Sequence, residues 1–188
     1  MKNNNNQQEL TFITGNLAKF EQLVRHMSYP ITHINMEIEE IQSLDPRKVV
    51  EHKTKEAYRK TKKPVLVEDT SLIFHALGNL PGPLIKWFLK ELGNEGLCKL
   101  LNGYPDRTAT AMVTFGLYDG KTMKIFEHKI EGSIAKIPKG KAGFGWDPIF
   151  TPKGYTKTWA QLFDGEHENI RKPLVQKIER YLKNGQQI

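Results

Sequence analysis

Apolar residues recur along this chain at two spacings, and each change of spacing marks a new element. Residues 10–14 form a short apolar run that stops at Gly15-Asn16, the pattern of a strand meeting a turn. From there Leu17, Phe20, Val24 and Met27 recur three and four apart, which predicts one face of a helix. Residues 32–39 alternate His33, Asn35 and Glu37 against Ile34, Met36 and Ile38, predicting a half-buried strand. Asp45 is the expected N-cap of a helix opened by Pro46, with Val49, Val50, Ala57 and Tyr58 as its apolar stripe. Residues 64–67 read as a compact buried strand, residues 83–92 as an almost wholly apolar helix, and residues 95–101 as another. Residues 108–118 and 123–130 predict two long strands joined at Asp119-Gly120. Ile170, Leu174, Val175, Ile178, Tyr181 and Leu182 line a terminal amphipathic helix, with Asn169 as its expected N-cap and Pro173 in its first turn. The order β-α-β-α-β, then helices, hairpin and helix, predicts an α/β fold with a mixed β-sheet.

Neither repeats nor a Pro/Gly/Ser linker divides the chain, so residues 9–188 are expected to form a single domain. Residues 1–8, rich in Asn and Gln, read as a disordered polar tail with no apolar stretch for a signal peptide or anchor. No segment reaches the roughly 20 apolar residues of a membrane helix, and a cytoplasmic protein is expected. The one cysteine, Cys98, sits in an apolar run and reads as core rather than nucleophile.

Charge narrows the class of partner. With 28 basic and 21 acidic residues the chain carries a net +7, which suits a polyanion such as a nucleotide or nucleic acid. Part of that charge has a plainer reading, since Lys55, Arg59, Lys60, Lys62 and Lys63 crowd one helix end, where the dipole favours cations.

Four stretches carry candidate chemistry. At Thr14-Gly15-Asn16 a strand ends and a helix begins, with Lys19 one turn in; backbone N–H groups and a positive dipole end can face a phosphate there. The same residues also describe an ordinary strand-to-helix turn, because the longer glycine loop of a P-loop is missing. Glu68-Asp69-Thr70 follows directly on the strand at 64–67. Adjacent carboxylates there are costly to desolvate without a cation, so they are either metal ligands or exposed loop acids. Glu39-Glu40 supplies a second acidic pair. Lys53 falls on the inward stripe of its helix and Lys86 interrupts an apolar one; each either snorkels or meets an anion. Gly143-Phe144-Gly145-Trp146-Asp147-Pro148 gathers glycines, aromatics and a carboxylate, which suits a base and sugar or an aromatic structural loop.

Together these blocks resemble the inosine triphosphate pyrophosphatase family. Thr14-Gly15-Asn16 with Lys19, Val67-Glu68-Asp69-Thr70, the run from Leu80-Pro81-Gly82-Pro83 through Lys86-Trp87-Phe88, and Gly143 to Pro148 occur in that family's order and at similar spacing. The likeness extends from about residue 10 to the last helix. It implies an elongated mixed α/β fold with two lobes around a nucleotide cleft, magnesium dependence and a homodimer. By position, Thr14, Gly15, Asn16, Lys19, Lys53, Thr70 and Lys86 would hold the triphosphate. Glu40 and Asp69 would bind magnesium with Glu68 nearby, and Asp69 would activate the attacking water. Phe144, Gly145, Trp146 and Asp147 would enclose base and sugar. The implied substrates are inosine, deoxyinosine and xanthosine triphosphates, cleaved to the monophosphate and pyrophosphate to cleanse the nucleotide pool.

The match breaks before the last helix, where family members usually carry Ser-His-Arg preceded by a lysine-asparagine pair. Here Arg171 falls at the arginine, Ile170 at the histidine, Asn169 or a gap at the serine, and Glu168 where the lysine is expected. The triplet helps the family recognise the purine's 6-keto edge, so base preference becomes the open question, with His167 a candidate substitute. Two further readings compete: a pyrophosphatase of altered or broad base preference, and a silent binder of nucleotide or nucleic acid. The carboxylates at Glu40, Glu68 and Asp69 favour the enzyme, since a binder of phosphates has no use for them without a metal.

Overall fold

The computed structural model describes residues 9–143, 145–162 and 170–183. A seven-stranded mixed sheet runs through it in the order β2-β1-β3-β5-β6-β7, with a short β4 against β3. β1 (Leu10–Ile13) pairs in parallel with β2 (Ile31–Ile34) and with β3 (Val65–Phe74). The remaining pairings are antiparallel: β3 with β4 (Pro81–Gly82) and with β5 (Thr108–Tyr118), β5 with β6 (Met123–Ile134), and β6 with β7 (Phe150–Pro152).

Strand alternation gives the sheet two apolar faces. On one, Leu66, Leu72, Phe74, Phe115 and Phe12 join side chains from α1 (Leu17–Val24), α3 (Ile85–Lys99) and α4 (Lys172–Lys183) in the main core. On the other, Ile13, Val65 and Val67 pack with Ala57 of α2 (Pro46–Thr61) and with Met36 and Ile38. Helix α2 starts as its sequence predicts, with the Asp45 carboxylate accepting from the Arg47 N–H and Pro46 in the first turn. It ends at Lys62 in the left-handed region, φ 55°.

Several expectations shift in detail. The predicted strand at 32–39 is paired only to Ile34; beyond it the chain leaves the sheet, and Met36 and Ile38 still find apolar cover against the smaller core. Helix α1 buries Leu23, while Leu17 and Val24 are exposed and Met27 lies past its end. The face read from Leu17, Phe20, Val24 and Met27 is therefore met only in part, with Met27 buried in the main core and Phe20 packed against it, while Leu17 and Val24 face outward. The helices expected at 83–92 and 95–101 form one run, Ile85–Lys99, broken at Gly93 with φ 62°. The apolar part of that run is not wholly buried, and Trp87 and Leu92 face outward. Strand β7, three residues long, has no pattern of its own in the sequence.

The largest change concerns β3. It is ten residues long, so Glu68, Asp69 and Thr70 lie inside a strand rather than beyond one. Pairing explains why they are nevertheless accessible. β5 covers one edge of β3 throughout, while on the other edge β1 stops at Val67 and β4 begins only at Leu72. The edge from Glu68 to Ser71 is an opening in the sheet. Cys98 is buried in the main core, and burial raises its thiol pKa, as expected of a core cysteine.

Candidate active site

A cleft of about 890 Å3 occupies this opening, within the usual range for sites that hold small molecules. Its lining includes the turn Thr14, Gly15 and Asn16, then Lys19, Lys53, Glu40, Glu68, Thr70, Lys86, Gly145, Trp146, Asp147 and Arg171. Phe144, Asn169 and His167, singled out in the sequence, lie outside the described residues.

The turn between β1 and α1 is held locally. Thr14 Oγ1 accepts from the Asn16 N–H at 3.1 Å, and Asn16 Oδ1 caps α1 by accepting from the Lys19 N–H at 3.3 Å. A Cβ on Gly15 would sit 2.9 Å from Cγ of the exposed Glu37, so a larger residue here would have to displace that glutamate side chain.

Because successive strand residues face opposite sides, Glu68 and Asp69 belong to different networks. Glu68 lies on the main-core side with a side chain fully shielded from solvent. Arg171 grips it with two bonds, Nε to Oε2 at 2.9 Å and Nη2 to Oε1 at 2.7 Å. Lys19 Nζ lies 3.3 Å from Oε1, and Thr70 Oγ1 donates to the same oxygen at 2.9 Å. Burial opposes ionisation of Glu68, but Arg171 and Lys19 outweigh it and hold its pKa down to about 2. A bidentate, desolvated arginine–carboxylate pair is the strongest form of such a contact. Arg171 is also tied to Gln22 of α1, whose Oε1 accepts from Nη1 at 2.7 Å. Sequence reading overlooked Gln22, although its place three residues after Lys19 puts it on the same helical face.

Asp69 lies on the α2 side. Lys53 reaches across from α2, donating to Glu40 Oε1 at 2.8 Å and to the Glu68 carbonyl at 3.4 Å, with Asp69 Oδ1 3.5 Å away. Its inward position on the helix is thus explained by two carboxylates rather than by snorkelling. Burial pushes the Asp69 carboxyl above its ordinary pKa, with Lys53 acting in the opposite direction. Burial works against the charge on Lys53, yet Asp69 and Glu40 raise its pKa. Glu40 is held below the usual carboxylate range because Lys53 outweighs its partial burial.

The last part of the wall is aromatic. Trp146 is only 8 % exposed; it stacks on Trp159 at 5.4 Å between centroids and meets the edge of Phe150 at 5.8 Å. Ile170, which stands at the family's histidine position, is buried with the α4 stripe and also lines the cleft. A Cβ on Gly143 would meet the Asp147 carboxylate at 2.2 Å, and its φ of 76° is one that glycine adopts freely. Trp159 is a second member of this wall that sequence reading missed.

These features gather lysines, carboxylates and an aromatic wall in one cleft at the carboxyl end of the parallel strand β1, where α/β sheets bind their ligands. The model of the Ham1 family matches residues 10–172, and the chain belongs to that family. The resemblance read from the motifs is borne out at this level. Among solved structures, the Ham1 protein of Staphylococcus aureus superposes with a TM-score of 0.76 at 22 % identity, over 93 % of this chain and 98 % of that one. A HAM1 protein from Coxiella burnetii gives 0.75 at 23 %, over 95 % and 100 %. The nucleoside-triphosphatase / dITP/XTP pyrophosphatase of Mycobacterium abscessus gives 0.67 at 24 %, over 94 % and 97 %. At these identities the superpositions carry the fold, and they agree with the mixed α/β sheet expected from the sequence.

Proposed function

We propose that this chain is a magnesium-dependent pyrophosphatase that cleaves a purine nucleoside triphosphate, of the inosine, deoxyinosine or xanthosine kind, to the monophosphate and pyrophosphate. The coarser class, a hydrolase acting on nucleoside triphosphates, follows from the family. The observation that carries the finer reading is the opening at Glu68–Ser71, where Lys19, Lys53 and Lys86 from α1, α2 and α3 face the same cleft as Glu40 and Glu68, with Asp69 buried just behind it against Lys53.

Magnesium in nucleotide enzymes takes one or two carboxylates, several waters and substrate phosphates. The residues present fit that set. Glu40 and Asp69 converge on one Lys53 ammonium, so their oxygens lie close enough to share a cation, and Glu40 faces the cleft. Glu68, expected near the metal, is occupied by Arg171, Lys19 and Thr70; the reading therefore assigns it to holding the site together. The ion would neutralise phosphate charge and polarise the α-phosphoryl group.

The chain's own residues do the rest. Lys19, Lys53 and Lys86 would bind the triphosphate together with the turn from Thr14 to Asn16, and stabilise charge building on the leaving pyrophosphate. Asp69, with its pKa raised by burial, would take the proton from water at its carboxylate oxygen as the water oxygen bonds to the α-phosphorus. The bridging bond from the α-phosphorus to the β-phosphate oxygen then breaks, and pyrophosphate departs with that oxygen. Gly145, Trp146 and Asp147, with Phe144, would enclose the base and sugar. A homodimer and a cytoplasmic setting belong to the same reading. No helix among the described residues is long and apolar enough to cross a membrane.

Purified protein incubated with magnesium and each nucleoside triphosphate in turn tests this. Pyrophosphate release from inosine and xanthosine triphosphates, abolished by chelation and restored by added magnesium, is expected. Absence of release from every triphosphate would overturn it.

A further inference from the structure

We propose that Asn94, outside the cleft, is a positioning residue that fixes residues 145–147 for the nucleoside part of the substrate. The proposal deepens the nucleotide-cleft reading above and rests on it.

Helix α3 bonds to Gly145 through Asn94 and passes beside it at Leu89. Asn94 Nδ2 donates to the Gly145 carbonyl at 2.9 Å, and a Cβ on Gly145 would lie 3.9 Å from Cδ2 of Leu89. In an unbroken helix two residues five apart point about 140° away from each other, at 3.6 residues per turn. Leu89 and Asn94 can meet the same glycine only because the helix breaks between them, at Gly93 with φ 62°. Nothing crowds Gly93, and a Cβ there would have open space. Its glycine therefore serves the backbone bend, and the bend aims Asn94.

The loop needs such a hold. Gly143 and Gly145 both have positive φ, 76° and 66°, a region with many neighbouring conformations open to glycine. Their geometry is set within the loop by the Asp147 carboxylate beside Gly143, and from outside by the Ala160 N–H donating to the Asp147 carbonyl at 3.1 Å and by Asn94. Gly145 and Trp146 line the cleft and Asn94 does not, so Asn94 acts through the loop. What the loop offers is backbone, an indole and a carboxylate. The indole and the carboxylate suit the flat base, hydroxyls and N–H groups of a nucleoside, and the Asp147 carboxylate repels phosphates, which have the lysines. The Asn94 bond therefore selects for the nucleoside and leaves the triphosphate end untouched.

The test separates the two ends with two ligands, inosine triphosphate and inorganic tripolyphosphate. Asn94→Ala removes the donor, and Asn94→Asp keeps the shape while setting an acceptor against the carbonyl. Each is expected to raise KM for inosine triphosphate about five- to tenfold, the worth of a lost hydrogen bond, with kcat changed less than about twofold. The inhibition constant of tripolyphosphate should stay at the wild-type value. An unchanged KM in both variants overturns the proposal, and so does a parallel rise in KM and in the tripolyphosphate constant, which a general loss of structure would give. Should the wild-type protein bind these nucleotides without hydrolysing them, dissociation constants read from tryptophan fluorescence replace KM. The function would then fall while the role of Asn94 stands or falls by the same comparison.

Discussion

Asp69 and Glu68 are neighbours in sequence with different tasks, and substitution should separate them. Asp69→Asn keeps the volume and removes the base, so turnover is expected to drop by about 10²- to 10⁴-fold, the usual contribution of general base catalysis. Its urea unfolding curve should stay near that of the wild type. Turnover close to wild type would remove Asp69 from the mechanism. Glu68→Gln instead breaks a buried, doubly bonded ion pair and leaves Arg171 and Lys19 facing a neutral amide. A destabilisation of about 3–5 kcal/mol by urea titration is expected. The same pair has a pH signature. The folded pKa of Glu68, about 2, lies below its ordinary value of 4.5. Its contribution to stability is therefore fully present above pH 4.5 and lost as pH falls from there through about 2. Wild-type protein should lose stability across that window, and the Gln variant should lose less.

Between elements, α2 lies tightly against β5. A Cβ on Gly116 would lie 2.2 Å from Oγ1 of Thr54, which itself donates to the Val50 carbonyl at 2.6 Å. Thr54 is the residue after Lys53, so the packing that seats the helix also sets the depth of the ammonium. Gly116→Ala should cost about 1–3 kcal/mol by overpacking, measured in thermal or urea unfolding. A variant as stable as the wild type would show that the helix moves away freely. At this scale the sequence is a good guide where burial and capping agree. Asp45-Pro46 announces α2, and the β5–β6 hairpin is plain from two long runs around Asp119-Gly120. It is a poor guide where tertiary pairing decides. The extension of β3 through Glu68-Asp69-Thr70 is invisible as a hydrophobic run, because its polar residues are paid for by Arg171 and Lys53 from distant segments. The bend at Gly93 and the strand at 150–152 depend likewise on partners far along the chain.

For the whole molecule, the four motif blocks share one cleft because β1 and β4 leave a gap along the edge of β3. Each block is ambiguous alone; order and spacing together made the family recognisable from sequence. The net charge of +7 was a weaker sign, since Lys55, Arg59, Lys60, Lys62 and Lys63 are exposed, and Lys55 and Arg59 pair with Glu51 and Glu56. The cations that matter, Lys19, Lys53 and Arg171, are among the more buried ones, and their burial could not be read without the fold. Which α- and β-face each carboxylate takes followed from strand parity, legible only once residues 68–70 were known to lie within a strand.

The central claim is hydrolysis at the α-phosphorus, and the most direct test is the fate of the attacking oxygen. Inosine triphosphate is turned over with magnesium in water enriched in oxygen-18, and the products are read by mass spectrometry. The account predicts one labelled oxygen on inosine monophosphate and unlabelled pyrophosphate. Label in pyrophosphate, or in free phosphate released alongside inosine diphosphate, would contradict it.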